Sequence, residues 1–283
     1  MKINSQRLRN NVSLTISYLF LVLMILIVFI PVFWIFSSSL NPGSNMFSSS
    51  ISLIPKNYTF DHYKELFTET RFASWYLNSI KVGAGSSLLS VFLITLTTYA
   101  FSRLRFIGRK YGLMVMLILQ MFPATMNMVA IYLLLNLIGL LDSHLGLILI
   151  YAGGSIPYNT WLMKGYMDTI PRSMEEAAII DGASQWTILW KIILPLCVPI
   201  ISVLAIFSFV GPFTDFLMAR IVITTPAKYT LAVGLRDFIA DQFSKNFTQF
   251  AAGAILAALP ITVLYLSLQG MLITGLTKGS TKQ

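Results

Sequence analysis

The sequence predicts an all-α membrane protein with six transmembrane helices and both termini in the cytoplasm. Three observations carry this reading. Of the 283 residues, 56% are hydrophobic and only 11% are charged, whereas a soluble domain carries about 25% charged residues. The charges cluster, so that the windows 10–55, 82–102, 111–141, 143–163, 192–214 and 246–277 contain no Asp, Glu, Lys or Arg. Each window reaches the roughly 20 residues that a helix needs to cross a bilayer core of about 30 Å. Finally, Lys and Arg collect in alternate flanks, as they do on the cytoplasmic side of a membrane.

The first window becomes polar after Phe36 (Ser37-Ser-Ser, Asn41-Pro-Gly, Ser48-Ser-Ser), which places the first helix at 14–36. Its apolar run exceeds a signal-peptide core of roughly 7–15 residues and no small-residue cleavage site follows, so it is expected to remain as an anchor. An outer loop spans 37–76. Within it Phe60, Tyr63, Leu66 and Phe67 share one face of a short amphipathic helix. Further helices fall at 77–101, 112–135, 145–165, 196–217 and 250–273. A second outer loop covers 218–249, where Leu235, Phe238, Ile239 and Gln242 align on a helical face and Gly234 offers a hinge. The whole of 1–283 reads as one membrane domain with its core at about 77–275.

The loop after the second helix holds Arg103, Arg105, Arg109 and Lys110, and the tails add Lys2, Arg7, Arg9, Lys278 and Lys282. The loop between helices three and four has no Lys or Arg, only Asp142 and His144. With this topology the inner face holds 12 basic and 4 acidic residues, and the outer face 8 and 7. The formal charge of +9 is therefore a topology signal and not a nucleic-acid footprint.

Catalytic and metal chemistry find no foothold. The single cysteine, Cys197, cannot form an intrachain disulfide, and His62 and His144 lack ligand-like spacing. No Gly-x4-Gly-Lys-Ser/Thr loop is present to hold a nucleotide. Lys81, Lys164 and Asp215 fall near predicted helix ends. No charged relay runs through the spans, which counts against the alternatives of an ion-coupled carrier or a membrane-bound enzyme. The amides of Gln120, Asn127, Asn136 and Asn159 have two readings, hydrogen bonding to a neighbouring helix or to a polar solute.

The segment 166–195 is a polar island between two spans. Four acids lie between Asp168 and Asp181. Pro171 suits the first turn of a helix, and Ser173 with Glu176 has the spacing of a capping box. Glu175 and Glu176 favour the positive end of the helix dipole. Ala177 and Ala178 leave a smooth face, and Gly182 after Asp181 suits a left-handed helix terminator. A second short helix is expected over about 185–193, with Pro195 marking the return to the bilayer. Small residues, a sharp turn and exposed acids on a loop that only needs to join two spans point to a docking role.

Glu176-Ala-Ala, Gly182 and Ile192-x-Leu-Pro195 resemble, in type and spacing, the cytoplasmic motif of permease subunits of ATP-binding-cassette importers. Tyr99-Ala-Phe-Ser-Arg103, Trp161-Leu-Met-Lys-Gly165 and Thr274-Gly-Leu-Thr277 are similar to the carbohydrate branch. Ser39-Leu-Asn-Pro-Gly43, Leu53-Ile-Pro-Lys56 and Phe60-Asp-His-Tyr63 resemble the G-type permeases of maltose and maltodextrin importers. The resemblance implies a type I importer permease fold. It also implies a second, F-type permease, an ATPase dimer that binds ATP and magnesium, and an extracellular solute-binding protein. The coupling surface it implies comprises Glu175, Glu176, Ala177, Ala178, Asp181, Gly182, Ala183, Ile192, Leu194 and Pro195. It assigns no sugar ligand to this chain, because the sugar contacts of related systems lie mainly on the other permease.

Overall fold

The computed structural model describes residues 2–43, 57–240 and 246–280, and among these all regular structure is helical. Leu53-Ile-Pro-Lys56 and Gln242 lie outside the described residues. Four helices are long and apolar enough to cross a membrane: Asn11–Ser39, Phe72–Arg103, Gln185–Thr214 and Phe247–Met271. The chain forms two compact units, one of residues 1–70 and 235–256, the other of 71–234 and 257–283.

In the first unit, α1 (Lys2–Ser39) exposes apolar side chains almost all round between Val12 and Val32, as a lipid-embedded helix should. The amphipathic pattern at 59–67 becomes α2 (Asp61–Thr68), whose Leu66 is fully buried. Two contacts fix α2 to the end of α1. The Ser39 and Tyr63 hydroxyls lie 2.7 Å apart, and His62 Nε2 sits 3.0 Å from the Asn41 carbonyl. The Gln249 amide donates to Glu65 at 2.7 Å, and Trp34 packs on Phe247 with ring centroids 5.6 Å apart.

The second unit is built on α3 (Phe72–Arg103), which lies between α6 (His144–Met167) and α9 (Leu194–Thr214). Close approach is possible because α3 offers small residues inward. A Cβ on Gly83 would meet the Phe209 ring at 3.0 Å, and one on Gly85 would meet Ile148 at 2.7 Å. Ser86, Ser90, Thr95 and Thr98 are buried beside them. Ile94, Tyr99, Met163, Met167, Ile188, Ile193, Cys197 and Leu204 form the apolar core below.

The expected third span is interrupted. It divides into α4 (Arg109–Leu119) and α5 (Ala124–Leu137), because Pro123 has no N–H for the helical ladder. The Gln120 amide at the break donates to the Gly154 carbonyl of α6 at 2.5 Å, which is the helix-to-helix reading of that residue. The second short helix is not separate either. Gln185–Thr187 (α8) runs through a π-helical turn, Ile188–Ile193, directly into α9. The wider π turn lets the chain carry Pro195 without breaking.

At the opposite end of the unit from Arg103, Asp142 pins the segment after α10 (Leu217–Val222). Asp142 adopts φ +53°. Its Oδ1 accepts the Thr224 and Thr225 N–H groups at 3.0 and 2.9 Å, and its Oδ2 accepts the Thr225 hydroxyl at 2.7 Å and Lys228 Nζ at 2.8 Å. Trp75 Nε1 and Asn78 Nδ2 of α3 bind the Pro226 and Ala227 carbonyls at 3.1 and 3.0 Å. Gly234 is no hinge. It lies inside α11 (Leu231–Ala240), where a Cβ would strike the Trp75 ring.

Burial raises the Asp142 pKa, but the Lys228, Thr225 and Thr224 donors more than offset it and hold the carboxyl well below its ordinary value. A depressed folded-state pKa contributes stability above the unfolded value of about 3.9, and this is lost only as pH falls through the folded value. Asp142→Ala should therefore destabilise the detergent-solubilised protein by about 1–3 kcal/mol. The deficit, read from thermal melts, should be the same at pH 8 and pH 5.

Candidate functional site, the Arg103-anchored loop

The polar island forms α7 (Ser173–Ile180) and the turn after it. Asp181 is the C-cap and Gly182 follows at φ +82°. The Gly182 N–H donates to the Ile179 carbonyl at 3.0 Å and the Ala183 N–H to the Ala178 carbonyl at 2.9 Å. This is the paired 5→2 and 6→1 pattern of a glycine-terminated helix. Ser184 then caps the next helix, its hydroxyl accepting from the Thr187 N–H at 3.2 Å. The first helix therefore ends at a glycine turn, as the sequence predicts, and Ser184 caps the continuous helical run that leads into α9.

The capping box does not form. Arg172 is the N-cap and Ser173 is already the first helical residue. Its expected partner, Glu176, is exposed and points away from the bundle's buried surface. The acids divide into two kinds. Glu175 is buried at 8% exposure, while Glu176 and Asp181 are exposed. The expectation of a uniformly exposed acidic face is corrected for Glu175, because a guanidinium reaches it from α3.

That guanidinium is Arg103, whose side chain is only 5% exposed. Its Nε donates to Glu175 Oε1 at 2.5 Å. One terminal nitrogen donates to the Ser102 hydroxyl at 2.9 Å and lies 3.9 Å from Asp168 Oδ1. The other donates to the Met167 and Ile170 carbonyls at 3.0 and 3.1 Å. One planar fork thus closes the end of α6, whose last carbonyls lack intrahelical donors, and holds the first turn of α7. Arg109 does the same for α3, donating to the Phe101 and Ser102 carbonyls at 2.9 Å each.

Asp168 completes the cluster. It accepts from the Ser102 hydroxyl and from Lys164 Nζ, both at 2.5 Å. Burial raises its pKa, but these hydrogen bonds and the charges of Lys164 and Arg103 more than offset that and hold it below the ordinary carboxylate value. Tyr99 reaches across to α8, its hydroxyl donating to Gln185 Oε1 at 2.6 Å.

The remaining expected residues fall on two faces of this loop. Ala178, Ala183, Ile192 and Leu194 pack partly buried against the core that contains Met167, Ile188 and Ile193. Ala177, Gly182 and Pro195 are exposed with Glu176 and Asp181. Ile180 is 86% exposed, with Met174, Ile179 and Trp186 also exposed nearby in sequence. The helix thus carries acids and bare apolar side chains outward, while its inward face is tied to the ends of α3 and α6.

Sequence reasoning missed Arg103 and Asp168 as members of this site. Arg103 reads as one of four charges in a basic loop, and nothing in its spacing separates it from Arg105.

Comparison with known proteins identifies the family. Residues 94–278 match the family of binding-protein-dependent transport system inner membrane components. The chain is 45% identical to the galactooligosaccharides transport system permease protein GanQ of Bacillus subtilis (strain 168), covering 98% of each chain. It is 42% identical to the maltodextrin transport system permease protein MdxG of the same organism, over 100% of both. Its fold superposes on a bacterial ABC transporter that imports the acidic polysaccharide alginate, with a TM-score of 0.78 over 90% of this chain and 95% of that one, at 24% identity. The chain belongs to the binding-protein-dependent permease family of ABC importers. It is a membrane-embedded transport subunit and not an enzyme.

Breaking a buried ion pair by removing one partner costs about 3–5 kcal/mol. Arg103→Ala should therefore lower the melting temperature of the purified protein substantially. Arg103→Lys should recover little, since an ammonium cannot reproduce the fork. The double variant Arg103→Met/Glu175→Met should recover only part of the loss, because no buried charge is left unpaired but the Met167 and Ile170 carbonyls still lack the guanidinium donors.

Proposed function

We propose that this chain is the G-type permease of an importer for neutral oligosaccharides of the maltodextrin or galactooligosaccharide kind. It crosses the membrane six times, with both termini in the cytoplasm. A second permease of the F type completes the translocation path, and an external binding protein delivers the sugar. A separate ATPase dimer, with its ATP and magnesium, docks on the loop 166–195. The spans supporting this topology are the four long apolar helices, the α4–α5 pair and α6, which is 24 residues long. The substrate class is supported by the two permease relatives.

The observation that carries the coupling reading is the division of labour between the two glutamates. Glu175 ties α7 to Arg103, and hence to α3 and α6, while Glu176, Ile180 and Asp181 face outward. A force applied to the outer face of α7 is thereby delivered to two spans at once. Burying Ile180 in a cleft contributes about 1.5–3 kcal/mol. Coupling further requires that the docked ATPase favour one permease conformation over the other, since equal binding shifts nothing.

The test is reconstitution of the complete complex in proteoliposomes, with ATP-driven uptake of labelled maltotriose and galactooligosaccharide as the readout. Gly182→Val forces a β-branched residue into the left-handed region and should abolish both uptake and co-purification of the ATPase. Normal uptake and ATPase association in that variant would contradict the coupling role.

A further inference from the structure

We propose that an anionic phospholipid of the inner leaflet seats in a groove between α4 and the end of α6, with its phosphate at Arg109 and Lys110. The proposal rests on the topology stated above, which puts this end of the unit at the cytoplasmic face. The groove has a volume of about 1220 Å³ and is walled by α4, by the ends of α3 and α6, and by Ile200 of α9. It exceeds the roughly 300–1,000 Å³ of a small-molecule pocket.

The charges at its mouth are not balanced. Arg109 is held by two carbonyls, those of Phe101 and Ser102, and a carbonyl orients a guanidinium without cancelling its charge. Lys110 is exposed and lies over the Tyr111 ring, 5.1 Å from the centroid. Among the described residues it makes no ion pair. A further cation on the wall, Lys164, is spent on Asp168, the carboxylate that also lines the groove. Arg109 and Lys110 thus remain for an anion.

Below these cations the wall turns apolar. Leu113, Met114 and Leu117 of α4 line it together with Leu162 of α6. Lys110 and Leu117 are seven residues apart, or about 10 Å along α4. The groove therefore carries charge at one end and hydrocarbon surface along the rest. A free phosphate ion uses only the first, whereas a phospholipid uses both. Trp161, half-exposed on the groove wall, stands where aromatic rings favour the level of the headgroups. Just outside the mouth, Ile107 is fully exposed between Arg105 and Lys110. A bare isoleucine flanked by cations suits the surface of an anionic leaflet. Basic pockets between spans on the cytoplasmic side bind anionic headgroups by the same combination.

The test uses the complete complex in phosphatidylcholine nanodiscs doped with photoactivatable phosphatidylglycerol or, in parallel, photoactivatable phosphatidylcholine. Crosslinked peptides are mapped by mass spectrometry, and co-purification of all subunits reports assembly. We expect phosphatidylglycerol to label 109–117 and 161–166 several-fold more than phosphatidylcholine does. Lys110→Gln should lower that labelling about fivefold, the worth of one cation near an anionic leaflet. Gly165→Leu should fill the groove and lower it too, since no atom lies within 4 Å of a Cβ built there. Arg105→Gln, outside the groove, should leave it unchanged. Equal labelling by the two lipids would overturn the proposal and leave an ordinary lipid-facing surface. A loss in Arg105→Gln equal to that in Lys110→Gln would overturn it in favour of diffuse surface attraction. Absence of labelling would overturn it by showing that a protein chain covers the groove. The topology is read separately, by treating intact cells carrying Ile107→Cys with a membrane-impermeant maleimide, the native Cys197 being buried. Reaction from outside would strike the topology and the leaflet assigned here, whereas the crosslinks report the groove itself.

Discussion

A single buried guanidinium organises the functional end of this protein. Arg103 terminates α3, and its guanidinium makes four hydrogen bonds, to the Met167 and Ile170 carbonyls at and just beyond the end of α6, to Ser102 and to the first turn of α7. A helix of eight residues is too short to hold its place by propensity alone. Held by Arg103 at its start, the Gly182 reversal at its end and the packing of Ala178 and Ala183 beneath, it becomes a rigid extension of the spans. The desolvation cost of burying Arg103 and Glu175 is offset by the number and direction of the hydrogen bonds, and not by charge pairing alone. The same principle acts at the far end, where Asp142 collects four donors and fixes the segment that follows α10.

Much of the architecture is legible in the sequence because lipid imposes it. A span must be long, apolar and helical, so charge-free windows locate α3, α6 and α9 to within five residues, while α1 begins 12 residues before its predicted start and α12 (Phe247–Ser280) runs seven beyond its predicted end. The helix-terminating role of Gly182 is equally plain, since a glycine after Asp181 at the end of a short run has one economical use. The island's first helix and its turn are read correctly for the same local reason, whereas the second helix is the start of α9.

What was not legible depends on distance. Glu175 and Glu176 are adjacent and chemically equal, and only the approach of Arg103, 72 residues earlier, makes one an anchor and leaves the other outward. The capping box was the expected use of Ser173 and Glu176, but α7 starts one residue earlier, with Arg172 at the cap and Ser173 already helical. Gly234 reads as a hinge in isolation and proves to be a seat for Trp75. Pro123 is visible as a breaker, but the contact made at the break, Gln120 donating to the Gly154 carbonyl of α6, joins residues 34 apart and is not.

In the proposed coupling, Arg103 is the link through which work done on α7 reaches the spans. The most direct measurement is the ratio of ATP hydrolysed to sugar transported by the reconstituted complex carrying Arg103→Gln, taken well below its melting temperature. The account predicts continued hydrolysis with the ratio raised several-fold, as the loop is pulled without moving α3 and α6. A ratio equal to that of the unmodified complex would show that the force travels by another route.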